Sequence, residues 1–321
     1  MRILLIGSYK TWRMERGVQA AFRRMGHETL LVDDRRLQRN IGRALTQRWV
    51  LWRARRFEPE FVFLSKCLGL ELETVERVIR GRRNAMWYMD PQWHRDLDRP
   101  DVGHIVQVAR LADTFHVSGF EDEWRAHGTN ARFLPAAGDR AIVPVPPDPD
   151  YAAQAAFIGR GYDEERADFL ARVKASGVHL RTWGLAWEPW RDAVGWSGRA
   201  VEGEEFSKVC SSSGVVLGIH PTRAAGATTY TSNRVWITCL GGGFYLGQRT
   251  PGIDALLRGG EHCDYYDGVE DCVARIRRWT EDPVGRERVR AAGEAFVREY
   301  HTFDDRAKYI LCGERWVSPL A

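Results

Sequence analysis

Apolar residues in the first half of the chain fall into short runs separated by stretches of helical period. Arg2–Ile6 is an apolar strand that ends in Gly7-Ser8-Tyr9. The helix after it carries Val18, Ala21, Phe22 and Met25 on one face and closes at Gly26. Strand Glu28–Val32, an arginine-rich helix ending at Phe57, strand 60–64, helix 71–80 and strand 84–88 continue the series. Segments 113–118 and 131–134 read as further strands around a helix that ends near Gly128. Short buried strands alternating with helices predict a parallel sheet covered on both faces.

The rhythm breaks at 142–150, where Pro144, Pro146, Pro147 and Pro149 exclude a central strand or a helix interior. An extended linker is expected there. Alternation then restarts with strand 154–158, Gly159-Arg160-Gly161, helix 164–176, and strands 178–183 and 214–219. Gly241-Gly242-Gly243 leads into strand 244–247, and Thr250-Pro251-Gly252 into a short helix reaching Gly259-Gly260. Strand Asp264–Tyr266 and two helices follow, the second with Asp282 as N-cap, Pro283 in its first turn, and a stripe of Val289, Ala292, Phe296 and Tyr300. The expected fold is α/β: two doubly wound, Rossmann-like domains facing a cleft, at 1–143 and 151–300. Residues 144–150 link them, and 301–321 are expected to pack back on the N-terminal domain. Ligands of such sheets bind beyond the C-terminal strand ends, so the cleft is the expected site.

Composition narrows the class. The 321 residues suffice for two cores, and 44% hydrophobic with 28% charged residues describes a soluble globular protein. The apolar run before Gly7, Ile3–Ile6, is only four residues long, too short for a secretory segment, and no uncharged run approaches the roughly 18 residues of a membrane span. Cys67, Cys210, Cys239, Cys263, Cys272 and Cys312 are scattered without a Cys-x-x-Cys pair. That pattern argues against a zinc site or disulfide framework and for a reducing cytoplasm.

Charge is uneven: residues 1–100 hold 21 Lys and Arg against 12 Asp and Glu. Between Arg35 and Phe57 stand eight arginines, no acid, and Trp49 and Trp52. One reading is a solvated helix face with its tryptophans packed inward. The other is an acceptor surface for a polyanion such as nucleic acid, anionic lipid or phosphorylated glycan, contacted by Arg48, Arg53 and Arg56.

Several short motifs carry candidate chemistry. Thr231-Ser232-Asn233-Arg234 is a small polar loop that suits a phosphate, through backbone N–H groups and a guanidinium. Arg160, wedged between Gly159 and Gly161 at a strand end, suits bidentate contact with a diphosphate. Trp183-Gly184 ends the next strand, where the indole either stacks on a nucleobase or packs in the core. His220-Pro221 and Arg223 open a polar loop suited to sugar contacts. Gly7, Ser8, Tyr9 and Lys10 form a loop after the first strand, but the next glycine is Gly17, so the dinucleotide fingerprint is absent. Asp90 follows an aromatic strand and suits a partly desolvated general base, or an Asp that caps its own turn. His94 and His104 are its rivals, whereas His116 reads as a satisfied core histidine. The only Asp-x-Asp pairs, Asp96 with Asp98 and Asp148 with Asp150, follow no apolar strand, so no metal site is expected. Leaving-group charge then falls on Arg160, Arg234 and backbone N–H groups.

The stretch from Thr231 to Arg306 resembles the C-terminal donor domain of GT-B glycosyltransferases, and among them the CgeB-like group named for spore-maturation proteins. Ser232, Arg234, Trp236, Gly242, Gly243, Phe244, Pro251, Gly252, His262, Tyr266, His301, Thr302 and Arg306 carry the resemblance in order. It implies a metal-independent hexosyl- or pentosyltransferase. Its nucleotide-sugar donor is a co-substrate held by Gly159, Arg160, Trp183, Gly184, His220, Ser232, Asn233, Arg234 and Gly243, and no cofactor is needed. Relatives carry an acid after the aromatic residue to grip the donor's ribose; here Ile237 follows Trp236. Two rival readings stay open: transfer to nucleic acid, such as a modified DNA base, and a degenerate, non-catalytic binding protein.

Overall fold

The computed structural model describes residues 1–8, 10, 14–90, 100–220 and 228–321. The chain divides into two compact units, Met1–Pro135 with Phe303–Val317, and Ala136–Thr302 with Ser318–Ala321. In the first unit the elements run β1 (Arg2–Ile6), α1 (Met14–Arg24), β2 (Glu28–Val32), α2 (Asp34–Ile41), α3 (Arg43–Phe57), β3 (Phe61–Leu64), α4 (Leu72–Ile79) and β4 (Arg83–Tyr88). Helix α5 (Pro100–Leu111), β5 (Thr114–Val117), α6 (Glu121–Ala126) and β6 (Ala131–Phe133) complete its N-terminal part. The second unit holds β7 (Ala153–Ile158), α7 (Glu164–Ala175), β8 (Leu180–Trp183), α8 (Glu204–Ser212), β9 (Ser213–Gly218), α9 (Arg234–Leu240) and β10 (Tyr245–Gln248). It closes with β11 (Asp264–Tyr266), α10 (Gly268–Glu281) and α11 (Pro283–Tyr300), after which α12 (Phe303–Cys312) belongs to the first unit. No helix among the described residues is long and apolar enough to cross a membrane.

Both sheets are parallel throughout, with strand orders β2-β1-β3-β4-β5-β6 and β11-β10-β9-β7-β8. Each has a topological switch point, where successive connections leave in opposite directions: between β1 and β3 in the first unit, and between β7 and β9 in the second. Strands covered on both faces are apolar from end to end: Ile3 to Ile6 and Phe61 to Leu64 are buried without a polar break. The second core is built on Phe157, Leu170, Val215, Leu217, Phe244 and Tyr266.

Helix α12 seals the first unit. Phe303 packs edge-on against Trp87 at 6.2 Å and fills the space left by Gly17, where a Cβ would sit 2.3 Å from the Phe303 ring. Arg306 is fully buried, donates from Nε to the Pro135 carbonyl at 2.8 Å, and is pulled down to about 10 by burial. In the second unit Asp264 locks β11 to α10. Its carboxylate accepts a bidentate bond from Arg275 Nη1 (2.9 and 3.0 Å) and another from Trp279 Nε1 at 2.8 Å.

Local departures from the sequence expectations have simple causes. Helix α1 stops at Arg24, so Met25 falls outside the helical register and is exposed. The arginine-rich helix is two helices, because Gly42 adopts φ +77° between them. The buried stripe of α11 is Val289, Gly293 and Val297, and Tyr300 is exposed. Asp282 does cap α11 through the Gly285 N–H at 2.8 Å. Helix α8 was not anticipated, and the helix expected after Pro251 is a single 3-10 turn, Ile253–Ala255. His116 lies in the core of β5, but neither ring nitrogen has a partner among the described residues, so it is not satisfied. Burial and, less strongly, Arg132 push it down to about 4, which keeps it neutral.

Removing the Asp264 carboxylate strands the buried Trp279 indole N–H and leaves Arg275 with Asp271 as its one remaining carboxylate partner. Asp264→Ala should therefore destabilise the second unit by about 3 kcal/mol, read as a lower first transition in differential scanning calorimetry.

Candidate functional site

Strand ends at a switch point expose carbonyl oxygens that need donors. In the second unit five such carbonyls, those of Ile158, Gly159, Arg160, Gly218 and Ile219, are met by side chains. Arg234 donates from Nε to the Ile158 carbonyl at 2.8 Å and from Nη1 to that of Ile219 at 3.3 Å. Arg166 gives Nη2 to the same Ile219 oxygen at 3.4 Å and Nη1 to the Arg160 carbonyl at 3.1 Å. Trp187 Nε1 caps Gly159 at 2.8 Å, and the Tyr266 hydroxyl caps Gly218 at 2.9 Å. Both guanidiniums lie over the Phe157 ring, at 4.6 and 5.5 Å.

Neither Arg166 nor Arg234 has a carboxylate partner among the described residues. Arg166 is 3% exposed, and its Nε has no hydrogen-bond partner among the described residues. Burial, and then Arg166, pulls the Arg234 guanidinium down to about 10, so it remains charged at neutral pH. Two desolvated like charges sharing one carbonyl oxygen are costly to hold together. An anion set against them would offset that cost, and a phosphate has paired oxygens that a planar guanidinium fork matches.

Other unsatisfied atoms surround this pair. His220 Nδ1 and Ser232 Oγ are buried without partners among the described residues. His220 packs against Tyr230 and is held down to about 4 by burial, then by Arg234, so its imidazole is neutral. Asn233 precedes α9 without a side-chain capping bond. Arg160 is exposed, and its guanidinium makes no bond among the described residues. Gly159 and Gly184 are bound by geometry: Gly184 has φ +138°, and a Cβ there would lie 1.8 Å from the Gly159 oxygen. Gly159, Arg160, His220, Ser232 and Arg234 therefore sit at or beside one switch point. Arg166 was missed by sequence reading, since a single Arg in a helix carries no signal there; only the fold aims it at the strand ends.

Two expected donor residues are placed elsewhere. Trp183 is 3% exposed, stacked on Tyr151 at 5.5 Å, with Arg181 and Arg199 over its ring. It is a core residue with no face for a nucleobase. Gly243 stands at the N-terminal end of β10, the opposite edge of the sheet, where a Cβ would meet Thr238 at 2.8 Å and Cys210 at 3.1 Å. Its small size serves helix packing.

In the first unit Asp90 ends β4 and is ion-paired to Lys66, which also lies 5.5 Å from the Tyr88 ring centroid. The carboxylate is 39% exposed, and so partly desolvated, with the Lys66 ammonium against it. His104 gives Nε2 to the Cys67 carbonyl at 2.9 Å. Gly7 and Ser8 end β1, and Ser8 Oγ accepts from the Lys10 N–H at 3.3 Å. Tyr9, His94, the Asp96 and Asp98 pair, Pro221 and Arg223 lie outside the described residues. Asp148 accepts from the Asp150 N–H and caps a turn.

Helix α3 buries Thr46, Gln47, Val50 and Ala54, which turns Arg48, Trp52, Arg55 and Arg56 outward. Trp52 is 52% exposed, so the tryptophans do not both pack inward. Arg53 lies 5.5 Å from the Trp49 ring and 5.9 Å from the Trp52 ring.

The sequence profile of the family described as "Glycosyl transferase-like" matches residues 165–312. No curated protein sequence matches the chain. Solved structures match over nearly the whole length. HepE of Anabaena in complex with UDP-glucose is similar at a TM-score of 0.70 and 11% identity, covering 98% of this chain and 100% of that one. Sucrose-phosphate synthase from Thermosynechococcus elongatus gives 0.68 at 10% identity, covering 97% and 98%. An alpha-glucosyltransferase in complex with UDP and a 13-mer DNA gives 0.65 at 12% identity, covering 98% and 100%. The fold is that of the GT-B glycosyltransferases, two doubly wound α/β units.

Two outcomes follow from the charge arrangement. Arg166→Met keeps the stem and removes an unpaired buried cation, so the ligand-free protein should melt no lower than wild type, while stabilisation by added UDP falls at least about tenfold in affinity. Differential scanning fluorimetry with and without UDP reads both. His116 and His220 have folded values near 4 against 6.5 in the unfolded chain. The unfolded state then binds more protons between these values, so stability is full above about pH 6.5 and declines as pH falls towards 4. Melting temperatures measured from pH 7 to 4.5 should show that decline, and His116→Phe or His220→Asn should flatten it.

Proposed function

We propose that this chain is a glycosyltransferase that uses a nucleoside-diphosphate sugar, with the diphosphate held by Arg234, Arg166 and Arg160. The observation that carries this reading is the pair of buried guanidiniums, without an acid, at the switch point between β7 and β9. The family profile over 165–312 and the UDP and UDP-glucose complexes of proteins with similar structure support uridine as the nucleoside. Ser232 Oγ and the neutral His220 supply uncharged polar contacts beside the anion. Ile237 packs with Ile158 against Phe206, Cys210 and Val216, so that position contributes apolar surface and not a grip on ribose. The non-catalytic alternative rests on that residue alone. Five of the six free cysteines are buried, in keeping with a reducing, cytoplasmic setting.

For the acceptor, a nucleic acid is the favoured class. Arg48, Arg55 and Arg56 form no ion pair among the described residues, and Arg53 stands over an indole that is half exposed. Cations interleaved with an exposed aromatic ring suit phosphates and stacked bases. The DNA complex of the similar alpha-glucosyltransferase agrees with this class.

Titration with UDP tests the donor site. At 100 times its dissociation constant UDP should stabilise the protein by about 2.7 kcal/mol, and Arg234→Ala or Arg160→Ala should weaken binding at least about tenfold by calorimetry. Unchanged affinity in both variants would refute the assignment. If α3 neutralises about four phosphates, log affinity for DNA or RNA should fall with log salt at a slope of about −3 to −4. Reversing Arg48, Arg53 and Arg56 to Glu should abolish that binding and leave UDP affinity intact. A wild-type protein that ignores nucleic acid at low salt leaves a small molecule, glycan or protein as acceptor.

A further inference from the structure

We infer that Tyr162 and Leu185 form the surface on which the base of the nucleoside diphosphate lies. The inference rests on the donor-site reading above and lies wholly within the second unit. Its starting point is a pair of large side chains left in solvent, Tyr162 and Leu185, each 54% exposed. Among the described residues of that unit, the other exposed large apolar side chains are Val143, before β7, and Val284 and Tyr300 on α11. Tyr162 and Leu185 are the two that stand beyond C-terminal strand ends, after β7 and β8.

Hydrogen bonds fasten the two loops to each other. The Gly159 N–H donates to the Trp183 carbonyl at 2.9 Å and the Gly161 N–H to the Leu185 carbonyl at 3.0 Å, so β7 and β8 stay paired past the end of the sheet. Trp187 Nε1 closes the turn from below on the Gly159 oxygen at 2.8 Å. Its indole is fully buried and packs edge-on against Phe157 at 5.8 Å. The approach is close enough that a Cβ at Gly161 would lie 2.3 Å from the Ala186 carbonyl oxygen. Ala186 itself has φ +64°, a conformation that strains any residue with a Cβ. The turn thus buries Trp187 and leaves Leu185, two positions earlier, in solvent. A surface built this way is ordered before a ligand arrives, which lowers the entropic cost of binding.

Tyr162 joins this surface to the cations. The Arg166 guanidinium lies 5.4 Å from the Tyr162 ring centroid and donates to the Arg160 carbonyl at 3.1 Å. A diphosphate held by Arg160 and Arg166 therefore has a phenol ring beside it, with Leu185 on the adjoining loop. A nucleobase is flat and apolar on its faces, so stacking on the ring and packing on the isobutyl group remove apolar surface from water on both partners. Exposed apolar residues are ordinary one at a time. What distinguishes this pair is its place on one fastened double loop next to a diphosphate site. Trp183, the aromatic expected to meet the base, is buried, and the turn through Gly184 passes the exposed position on to Leu185.

The experiment compares UDP with ribose 5′-diphosphate, which keeps the phosphates and ribose but lacks the base, by calorimetry on the full chain. Wild type should prefer UDP at least about tenfold, the scale of base stacking on an aromatic side chain. Tyr162→Ala should weaken UDP about tenfold and leave ribose 5′-diphosphate within about twofold. Tyr162→Phe should retain the UDP affinity, and Leu185→Ser should weaken UDP severalfold without affecting the base-free ligand. A Tyr162→Ala variant that loses both ligands alike assigns the ring to Arg166 and the phosphates, and overturns the inference. Unchanged UDP affinity in Tyr162→Ala, an equal loss in Tyr162→Phe, or a wild type that binds the two ligands equally overturns it too. In each of these cases the diphosphate site stands, because ligand still binds and Arg234→Ala still reports on it. A wild type that binds neither ligand overturns the donor reading as well.

Discussion

Arg234 is the constraint around which the second unit is arranged. A guanidinium has five donors and cannot be neutralised by losing a proton at ordinary pH. Buried at the end of β7 and β9, it ties the Ile158 and Ile219 carbonyls across the switch point. The rest of the site adapts to it. Phe157 offers its ring face to the cation, Gly159 keeps the space beside Nη2 open, and His220 stays neutral because burial, and then the Arg234 charge, opposes its protonation. Arg166 adds a second cation where an acid would have been the stabilising choice. Among the described residues no acid stands against either cation.

The two units answer the same geometric problem with opposite charge. Each sheet places its first and third strands side by side, and each leaves carbonyls at their C-terminal ends. In the second unit arginines satisfy those carbonyls and keep spare donors. In the first, Gly7 makes room for Glu15, whose carboxylate takes one bond from Ser65 and has no partner for Oε2 among the described residues.

Stability and function are separable in the second unit. Asp264, Arg275 and Trp279 form a fully paired polar cluster that fastens β11 to α10. The cluster at the switch point is the reverse: Arg166 Nε, His220 Nδ1 and Ser232 Oγ have no partner among the described residues. A satisfied buried network rigidifies a fold, whereas an unsatisfied one stores binding capacity at some cost in stability.

Hydrophobic periodicity alone determined the α/β class, the two parallel sheets and most strand positions, because a strand buried on both faces must be apolar along its length. Local chemistry likewise determined the cap of α11 at Asp282, and it marked Arg160 and Arg234 as candidates, since each stands at a strand or helix end. Tertiary structure decided what no local pattern encodes. Arg166 and Glu15 look like ordinary helix residues until the sheet order carries them to a switch point. Trp183 sits beside a strand end yet is covered by Tyr151, and Gly243 lies at the wrong edge of the sheet because it precedes its strand. Burial and partner count are properties of neighbours distant in sequence, so they determine which charges are left unpaired, and with that where the chemistry resides.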